Sequence, residues 1–342
     1  MTSIYDTSAL ERKARERGLD PQWVHRLQAS IFRKQQSREE ALAALNPSVA
    51  DFMAGQCRWQ WLTLRERMDS TLDGSTKLVF VTAAGDAIES VILRIATGRT
   101  TVCVSSQSGC AAACEFCATG KMGKARNLST EEILDQVVQA GRLAGLEGRR
   151  VRNLVFMGMG EPFHNEANVF AALDHLTAPR GFSIDAKRIL VSTVGIPGAM
   201  VRFARRFPRM GLAVSLHSAT QAEREQLIPV ARRHDLTVLR SAIEEANRIQ
   251  EREVMIEYLL LREVNDRMED ANALAEYLEG LRVHINLIPF NPIAGAPHLL
   301  RSDAATQAQF AAQLKERNFK VTTRYSLGTD IAAACGQLAK GR

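Results

Sequence analysis

Residues 108–120 read Ser-Gly-Cys-Ala-Ala-Ala-Cys-Glu-Phe-Cys-Ala-Thr-Gly, a Cys-x3-Cys-x2-Cys pattern formed by Cys110, Cys114 and Cys117. Three thiolates this close together on one loop can bind three irons of a [4Fe-4S] cluster and leave the fourth iron without a protein ligand. Electron-carrying clusters normally have four cysteine ligands, so an open iron indicates a catalytic cluster. The alternative is a structural zinc site, which requires four ligands, usually in Cys-x2-Cys pairs. No fourth Cys or His follows nearby, because the next histidine is His164.

The bulk composition describes a chain that can bury a full-sized core and carries a mild excess of positive charge. The 342 residues are 46% hydrophobic with a net charge of +6, which fits one large domain with an appendage. The N-terminus is charged, and no stretch reaches the ~20 apolar residues of a membrane helix. We therefore expect a cytoplasmic protein with no membrane partner, whose six cysteines serve metal binding or catalysis.

Basic residues are clustered more strongly than the net charge suggests. Any one cluster reads most simply as a solvated helix face, but several arginine-rich clusters on one chain favour phosphate binding. The clusters are Arg12, Lys13, Arg15 and Arg17; Arg149, Arg150 and Arg152; Arg202, Arg205, Arg206 and Arg209; and Arg232 with Arg233.

Secondary-structure signals divide the chain into a helical N-terminal part and an α/β body. Capping patterns and the helical spacing of apolar residues predict short helices over the first 55 residues. A turn signal at Asp73-Gly74 precedes β-rich runs at 77–81 and 88–95. From residue 101 onward, strand-like and amphipathic helical segments alternate about six times, fewer than the eight units of a closed barrel. The predicted fold class is therefore α/β, with an open, partial (β/α)6 barrel.

Small and polar residues follow several of the predicted strands. The stretch Met-Gly-Met-Gly-Glu-Pro at 157–162 ends the second barrel strand; Gly160 lets a ligand approach the backbone, and Glu161 can pair with an ammonium group. The carboxyl ends of barrel strands share one face with the cysteine loop, so these residues are expected to line one nucleoside pocket. The candidates at later strand ends are Ser192, Ser215, Leu216, His217 and Asn291.

Two of the three cysteines outside the cluster motif give a further indication of function. Cys103 lies seven residues before Cys110, and Cys335 lies among small residues near the C-terminus. A lone buried cysteine usually packs as a small hydrophobe, and that interpretation covers Cys57. It is less natural for Cys335, because a tail of small residues and glycine is not typical of a core position.

Taken together, these motifs resemble the RlmN/Cfr family of radical S-adenosylmethionine (SAM) RNA adenosine methyltransferases. The chain matches the family at the cysteine motif, at Gly-Met-Gly-Glu-Pro, at Ser-Thr-x-Gly, at Ser-Leu-His, at Pro-Phe-Asn-Pro and at the tail Asp-Ile-x-Ala-Ala-Cys-Gly-Gln-Leu. The similarity covers roughly residues 75–340. It implies a radical SAM barrel in which Cys110, Cys114 and Cys117 hold one [4Fe-4S] cluster with an open iron site.

Together with the secondary-structure signals, the resemblance implies four parts. Residues 1–72 form an N-terminal helical accessory module that is a candidate for RNA binding, and residues 73–98 form a small β extension. Residues 99–325 form the partial barrel, and residues 326–342 form a tail that carries Cys335. The resemblance assigns SAM binding to Gly160, Glu161, Ser192, Ser215, Leu216, His217 and Asn291.

The resemblance also implies a route to the adenine C2 carbon, which is too electron-poor to attack a methyl group. One SAM methylates Cys335, and a second SAM yields a 5′-deoxyadenosyl radical that removes a hydrogen atom from the S-methyl group. The methylene radical adds to the ring carbon and forms a covalent enzyme–RNA adduct. Glu89 is implied as the proton acceptor and Cys103 as the resolving thiol. The Cys103–Cys335 disulfide then needs a thiol reductant, and the cluster needs an electron donor.

Two features leave the substrate less defined than the chemistry. The segment Tyr-Ser-Leu-Gly at 325–328 lacks the basic residue expected before this glycine in C2-methylating members, and the N-terminal helices match the family's nucleic-acid-binding module only loosely. Separately, Glu89 lies one residue farther from Cys103 than the family pattern leads us to expect. The predicted function is methylation of C2 of an adenosine in 23S rRNA, with a tRNA adenosine as a second substrate. The alternatives are C8 methylation of the same rRNA adenosine, as in Cfr, and a radical SAM enzyme with a different RNA substrate.

Two hypotheses from other classes stay open on the sequence. A radical SAM enzyme of another kind, such as a glycyl-radical activase, needs the cluster and the SAM pocket but gives no reason for Cys335. A non-catalytic RNA-binding protein needs only the arginine clusters and would keep the cluster for structure. Replacing Cys335 separates these hypotheses from the first, because only a methylcysteine route depends on it.

Overall fold

Short helices form the N-terminal part of the computed structural model, which describes residues 1–95, 97–123 and 125–339. The helices are α1 (Thr7–Glu16), α2 (Gln22–Gln28), α3 (Arg38–Ala43) and α4 (Pro47–Gln56), and β1 (Thr2–Ser3) pairs in parallel with β2 (Cys57–Arg58). Ser37 begins α3 with a capping box, in which its hydroxyl accepts from Glu40 N–H and the Glu40 carboxylate accepts from Ser37 N–H. The capping box that the sequence predicts therefore sets the start of α3.

A ten-stranded sheet forms the frame of the rest of the molecule. Its strands lie side by side in their order along the chain. The first four pair antiparallel, and the pairs from the fourth strand to the last are parallel. The strands are β3 (Leu62–Asp69), β4 (Thr76–Thr82), β5 (Ala87–Arg94), β6 (Thr100–Cys103), β7 (Val151–Phe156), β8 (Ile189–Thr193), β9 (Gly211–Ser215), β10 (Val254–Leu260), β11 (Val283–Pro289) and β12 (Lys320–Thr323).

Helices connect the parallel strands and complete the barrel. They are α5 (Thr130–Leu146), α6 (Glu166–Thr177), α7 (Pro197–Arg206), α8 (Gln221–Leu227), α9 (Leu236–Ile249), α10 (Met268–Leu278) and α11 (Ala304–Glu316). Strand β10 is almost entirely buried, as expected for a parallel strand between two covered faces. The α/β fold class and the partial barrel are confirmed. Within the described ranges, no helix combines the length and the apolar character that a membrane crossing requires.

Strand β3 is a feature that the sequence analysis missed. It lies inside the range 1–72 given to the helical module, yet it pairs with β4 and forms the edge of the large sheet. Its sequence, Leu-Thr-Leu-Arg-Glu-Arg-Met-Asp, is largely exposed and charged, which is how edge strands avoid further pairing. The four-part boundaries stay a prediction, and Ala96 of the β extension and residues 340–342 of the tail lie outside the described residues.

A buried carboxylate joins the N-terminal segment to the barrel. One oxygen of Asp135, on α5, accepts hydrogen bonds from Trp61 N–H and Leu62 N–H, both at 2.9 Å. Gln139 donates to the same oxygen at 3.0 Å. Asp135 is 1% exposed, so its loss would leave buried N–H groups without an acceptor.

We expect Asp135→Ala to lower the free energy of unfolding by about 3 kcal/mol, because each orphaned buried N–H costs about 1–3 kcal/mol. Urea denaturation followed by circular dichroism measures this change. The matched control is Asp51→Ala on the exposed side of α4, which should stay within about 0.5 kcal/mol of wild type. An equal effect in both variants would contradict a structural role for Asp135.

Candidate active site

A cavity at the carboxyl ends of the parallel strands is lined by the three cysteines of the motif. Their loop leaves β6 directly and folds tightly, because a side chain at Gly120 would lie 2.9 Å from the backbone N and O of Cys114. The structure brings the later strand ends to the same cavity, as the sequence predicts. The lining residues among the candidates are Cys110, Cys114, Cys117, Gly160, Glu161, Ser192, Ser215, His217, Asn291 and Cys335.

Three sequence-predicted residues do not line this cavity among the described residues. Cys103 lines an adjoining cavity described below, and the other two line neither. Leu216 is fully buried in the main hydrophobic core, and its N–H donates to Glu257 O at 3.0 Å. Its neighbours Ser215 and His217 face the cavity instead, so Leu216 supports the strand end on which they lie. The third residue, Glu89, lies under the C-terminal tail.

The strand end at 157–162 packs directly against the strand end that leads into the cysteine loop. A side chain at Gly160, which has φ +97°, would lie 2.5 Å from Gln107 Cβ. Glu161 is buried, and its carboxylate accepts from Phe163 N–H at 2.9 Å and from Val194 N–H at 2.8 Å. Burial raises the pKa of Glu161 to about 7, against the lowering effect of these hydrogen bonds. The carboxylate is thus fixed in place at the cavity wall, where a cationic ligand would favour its charged form.

His217 presents a neutral ring to the cavity. Its Nδ1 accepts from Leu259 N–H at 3.0 Å, which leaves the proton on Nε2. Burial, helped by the charge of Arg224, lowers the pKa of His217 to about 3. The backbone is in the left-handed region at φ 60°, and Asn265 holds it there by donating to His217 O at 2.6 Å. His217 therefore offers a hydrogen-bond donor, not a charge, to a bound ligand.

Glu257 is a site residue that the sequence analysis missed. Its Oε2 accepts from Ser192 Oγ at 2.9 Å and from Ser215 Oγ at 3.4 Å. Both predicted serines are therefore committed to this carboxylate, which itself lines the cavity. The sequence feature that could have identified Glu257 is an acid within the otherwise apolar strand β10. A buried strand tolerates an acid only when the carboxylate has partners.

A second cavity adjoins the first and is lined by two of the three cysteines outside the cluster motif. They are Cys103 from β6 and Cys335 from the tail. Cys335 is exposed and lines both cavities, and its carbonyl accepts from Asn291 Nδ2 at 3.1 Å. The other residues common to the two linings are Met157, Ile288 and Leu338. Cys335 therefore stands in the wall between the two cavities.

Arg324, directly after β12, supplies positive charge to the second cavity. Its Nη1 lies 3.7 Å from Glu257 Oε1 and 3.5 Å from Met157 Sδ. Burial raises the pKa of Cys103 to about 12, and the charge of Arg324 opposes this shift. The same guanidinium also favours the thiolate of Cys335, whose side chain is exposed. The sequence analysis expected a basic residue immediately before Gly328. The structure instead places Arg324, four residues earlier, beside the two thiols.

Glu89 lies on the sheet beneath the tail. Strand register pairs Val91 with Cys103, so Glu89 and Cys103 are close along neighbouring strands. Glu89 has no exposed surface and lies 3.9 Å from Lys77 Nζ, measured from Oε1. Lys77 also donates to Ala332 O in the tail at 3.2 Å. Glu89 is not among the described residues that line the two cavities, and Lys77 lies between it and the tail.

The residues of the first cavity fit an iron–sulfur cluster with bound SAM. Three soft thiol donors face one space, where burial raises the pKa of Cys110 to about 12, so a metal is needed to hold them as thiolates. The described residues contain no group of three or more His, Cys, Asp and Glu side chains placed to hold a single metal ion. Beside the thiols, Glu161 provides a carboxylate and His217 a donor for a polar ligand.

Comparison with known proteins defines the class first. The model of the radical SAM superfamily matches residues 104–276, the part of the chain that carries the cysteine loop and the strand ends of the first cavity. The fold and the site are thus those of a radical SAM enzyme, which uses a [4Fe-4S] cluster and SAM.

Full-length relatives narrow the class to a family. A probable RNA methyltransferase of Rhodopirellula baltica is 53% identical and covers 98% of this chain and 87% of its own. A probable dual-specificity RNA methyltransferase RlmN of Thermus thermophilus is 41% identical over 78% of this chain and 75% of its own. A crystal structure of a radical SAM methyltransferase from Sphaerobacter thermophilus superposes with a TM-score of 0.92 at 37% identity, covering 99% of each chain. The chain belongs to the RlmN/Cfr family and is a SAM-dependent radical SAM RNA methyltransferase.

We expect Gly160→Ala to weaken SAM binding at least tenfold, because the new methyl group would displace Gln107 from beneath the strand end. Equilibrium dialysis of the anaerobically reconstituted protein with labelled SAM measures this affinity. The matched control is Gly148→Ala, which has a similar positive φ of +68° but no atom within 4 Å. Gly148→Ala should lose about 1 kcal/mol of stability from backbone strain, and Gly160→Ala should lose more because of its contact with Gln107. Equal SAM affinity in the two variants would contradict the steric argument.

Proposed function

We propose that this chain methylates C2 of an adenosine in 23S rRNA through an S-methylcysteine at Cys335, with a tRNA adenosine as a second substrate. The observation that carries the proposal is the position of Cys335 in the wall shared by the two cavities. From there one sulfur atom can face SAM in the first cavity and an adenine in the second. A lone structural cysteine has no need of such a position.

The first cavity prepares the methyl group. When bound, a [4Fe-4S] cluster with an open iron site and SAM supply a 5′-deoxyadenosyl radical, with two SAM molecules used per turnover. In our proposal Cys110, Cys114 and Cys117 hold the cluster, and Glu161 binds the SAM ammonium group. His217 and Asn291 donate hydrogen bonds to the same ligand. The thiolate of Cys335 attacks the methyl carbon of one SAM, and S-adenosylhomocysteine leaves.

The second cavity completes the transfer. Removal of a hydrogen atom from the S-methyl group lets its carbon bond to the adenine ring, which leaves an adduct radical. The adduct then loses the ring proton and one electron, and that electron would pass to an iron–sulfur cluster held by the three motif cysteines. Glu89 accepts that proton, which requires the segment around Ala332 to move off it, since Lys77 holds the tail there. Cys103 attacks the Cys335 sulfur, the S–C bond breaks, and the freed carbon takes a proton to become the product methyl group. A cytoplasmic thiol reductant restores the two cysteines, and a separate electron donor serves the cluster.

We expect Cys335→Ala to abolish RNA methylation while SAM cleavage to 5′-deoxyadenosine continues, because the cluster ligands and the SAM pocket stay intact. Mass spectrometry of nucleosides from 23S rRNA and tRNA incubated with the anaerobic enzyme detects 2- or 8-methyladenosine, and chromatography detects 5′-deoxyadenosine. The control is Cys57→Ala, a buried cysteine in the main core, which should retain methylation. Methylation that persists in Cys335→Ala would refute the proposal, and 8-methyladenosine in the wild type would replace C2 with C8.

We expect Cys103→Ala to accumulate a covalent complex between the protein and RNA, because no thiol then attacks the Cys335 sulfur of the adduct. Denaturing gel electrophoresis shows this complex as a labelled band that ribonuclease shortens. Cys103→Ser tests the same step with a smaller change in packing. Normal turnover in both variants would remove Cys103 from the mechanism and leave the role of Cys335 unaffected.

A further inference from the structure

A groove rich in arginine crosses the opposite end of the barrel, where the parallel strands begin. The end of α2 with its π-helical continuation, Ala29–Arg33, forms one wall. The opposite wall comes from three connections, at residues 97–99, 147–152 and 182–188. The guanidinium groups that line it come from Arg33, Arg99, Arg149, Arg150, Arg152 and Arg188.

These six arginines lack carboxylate partners within the part of the chain that the structure describes. The acid that lines the groove is Glu147, and it is already engaged by Arg94 at 2.6 Å and by Arg67 at 3.6 Å. Arg33 Nε is buried without a hydrogen-bond partner, and Arg150 donates to a backbone carbonyl, Arg33 O, at 2.9 Å. Uncompensated positive charge is therefore concentrated along one surface.

The arginines of α7, in contrast, have carboxylate partners. Arg202 donates to Glu166 through two nitrogens at 2.6 Å, and Arg206 donates to Asp174. Arg205 lies 3.3 Å from a carboxylate oxygen of Glu245. This cluster is as dense in sequence as the 149–152 cluster, but neighbouring acids neutralise it. The groove therefore retains positive charge that the α7 cluster does not.

The groove also adjoins the second cavity. The connection between β5 and β6 separates them, because Ile95 lines the cavity while residues 97–99 line the groove. Arg94 reaches from the cavity wall to Glu147 in the groove. A nucleic acid strand with one base in the second cavity therefore has a short path across this connection to the arginines.

We propose that this arginine groove binds the phosphate backbone of the substrate RNA, as a second contact beyond the cavity that receives the adenosine. The inference rests on the proposed function for the identity of the RNA. Guanidinium forks suit phosphate oxygens, and six of them along a groove match a chain of regularly spaced phosphates better than a single anion.

The test compares two triple variants of the full-length protein with equal changes in net charge. The first, R99Q/R152Q/R188Q, removes exposed groove arginines from three connections. The second, R202Q/R205Q/R206Q, removes the ion-paired arginines of α7. Filter binding to a 23S rRNA transcript and to bulk tRNA, over 50–300 mM KCl, gives the affinity and its salt dependence. We expect the groove variant to lose about 2–3 units from the slope of log K against log salt and to bind ~10–100-fold more weakly.

The α7 variant should change the slope by less than about one unit, because its arginines are occupied. Unfolding midpoints and SAM cleavage should match wild type in both, and R149Q/R150Q serves as a second groove variant if the first is poorly folded. An unchanged slope in both groove variants, equal slope changes in the groove and α7 variants, or salt-independent RNA binding by wild type would overturn the groove proposal. A wild type that binds RNA through the groove yet leaves it unmethylated would contradict the proposed function alone.

Discussion

Close contact between the ends of β6 and β7 is the constraint on which the site depends. Ser105 Oγ accepts from Met159 N–H at 2.8 Å and donates to Glu89 O at 2.5 Å, so one hydroxyl links β5, β6 and β7. The side chain of Gln136, on α5, binds the Ser105 backbone twice. Its Oε1 accepts from Ser105 N–H at 2.8 Å, and its Nε2 donates to Ser105 O at 2.9 Å. A side chain at Gly158 would lie 2.6 Å from Ser105 Oγ, so this approach requires glycine. These contacts fix the positions of three strands relative to one another. The strands lead to Glu89, the proposed base, to Cys103, the proposed resolving thiol, and to Glu161, the carboxylate proposed to bind SAM.

The two cavities differ in how they treat sulfur. In the first, burial disfavours the thiolates of Cys110 and Cys114, so only bound metal can stabilise three negative charges side by side. In the second, the compensating charge belongs to the protein, because Arg324 lies among Cys103, Cys335 and Glu257. A fixed guanidinium stabilises a thiolate without ligating it, so the sulfur stays available as a nucleophile. The separation of the two charge sources matches the proposed separation of metal binding in the first cavity from methyl transfer to the ring in the second.

Sequence alone predicts those parts of the site whose residues are neighbours along the chain. The cysteine motif, the strand end at 157–162 and the alternation of strands and helices are local patterns, and the structure has them where expected. Arg324 and Glu257 escaped because their significance comes from contacts with residues remote in sequence. The same holds for α7, where partners such as Glu166 and Glu245 lie about 40 residues away. Strand β3 escaped because its exposed, charged residues give it no hydrophobic pattern, and pairing with β4 alone makes it a strand.

The tail is anchored on both sides of Cys335, and the anchors differ in kind. Before the cysteine, Asp330 accepts from Ser70 Oγ at 2.8 Å, and Asp73 accepts from Gly328 N–H at 2.7 Å, which ties the tail to the β3–β4 turn. After it, Gly336 O accepts from Ala118 N–H at 2.7 Å, which ties the tail to the cysteine loop. Between the anchors, Ala332 has φ 49°, a conformation that costs a non-glycine residue energy. Ala332 is therefore the strained point of an otherwise anchored tail. In our proposal, a shift of this segment would uncover Glu89 as the base, while Cys335 keeps its place between the two cavities.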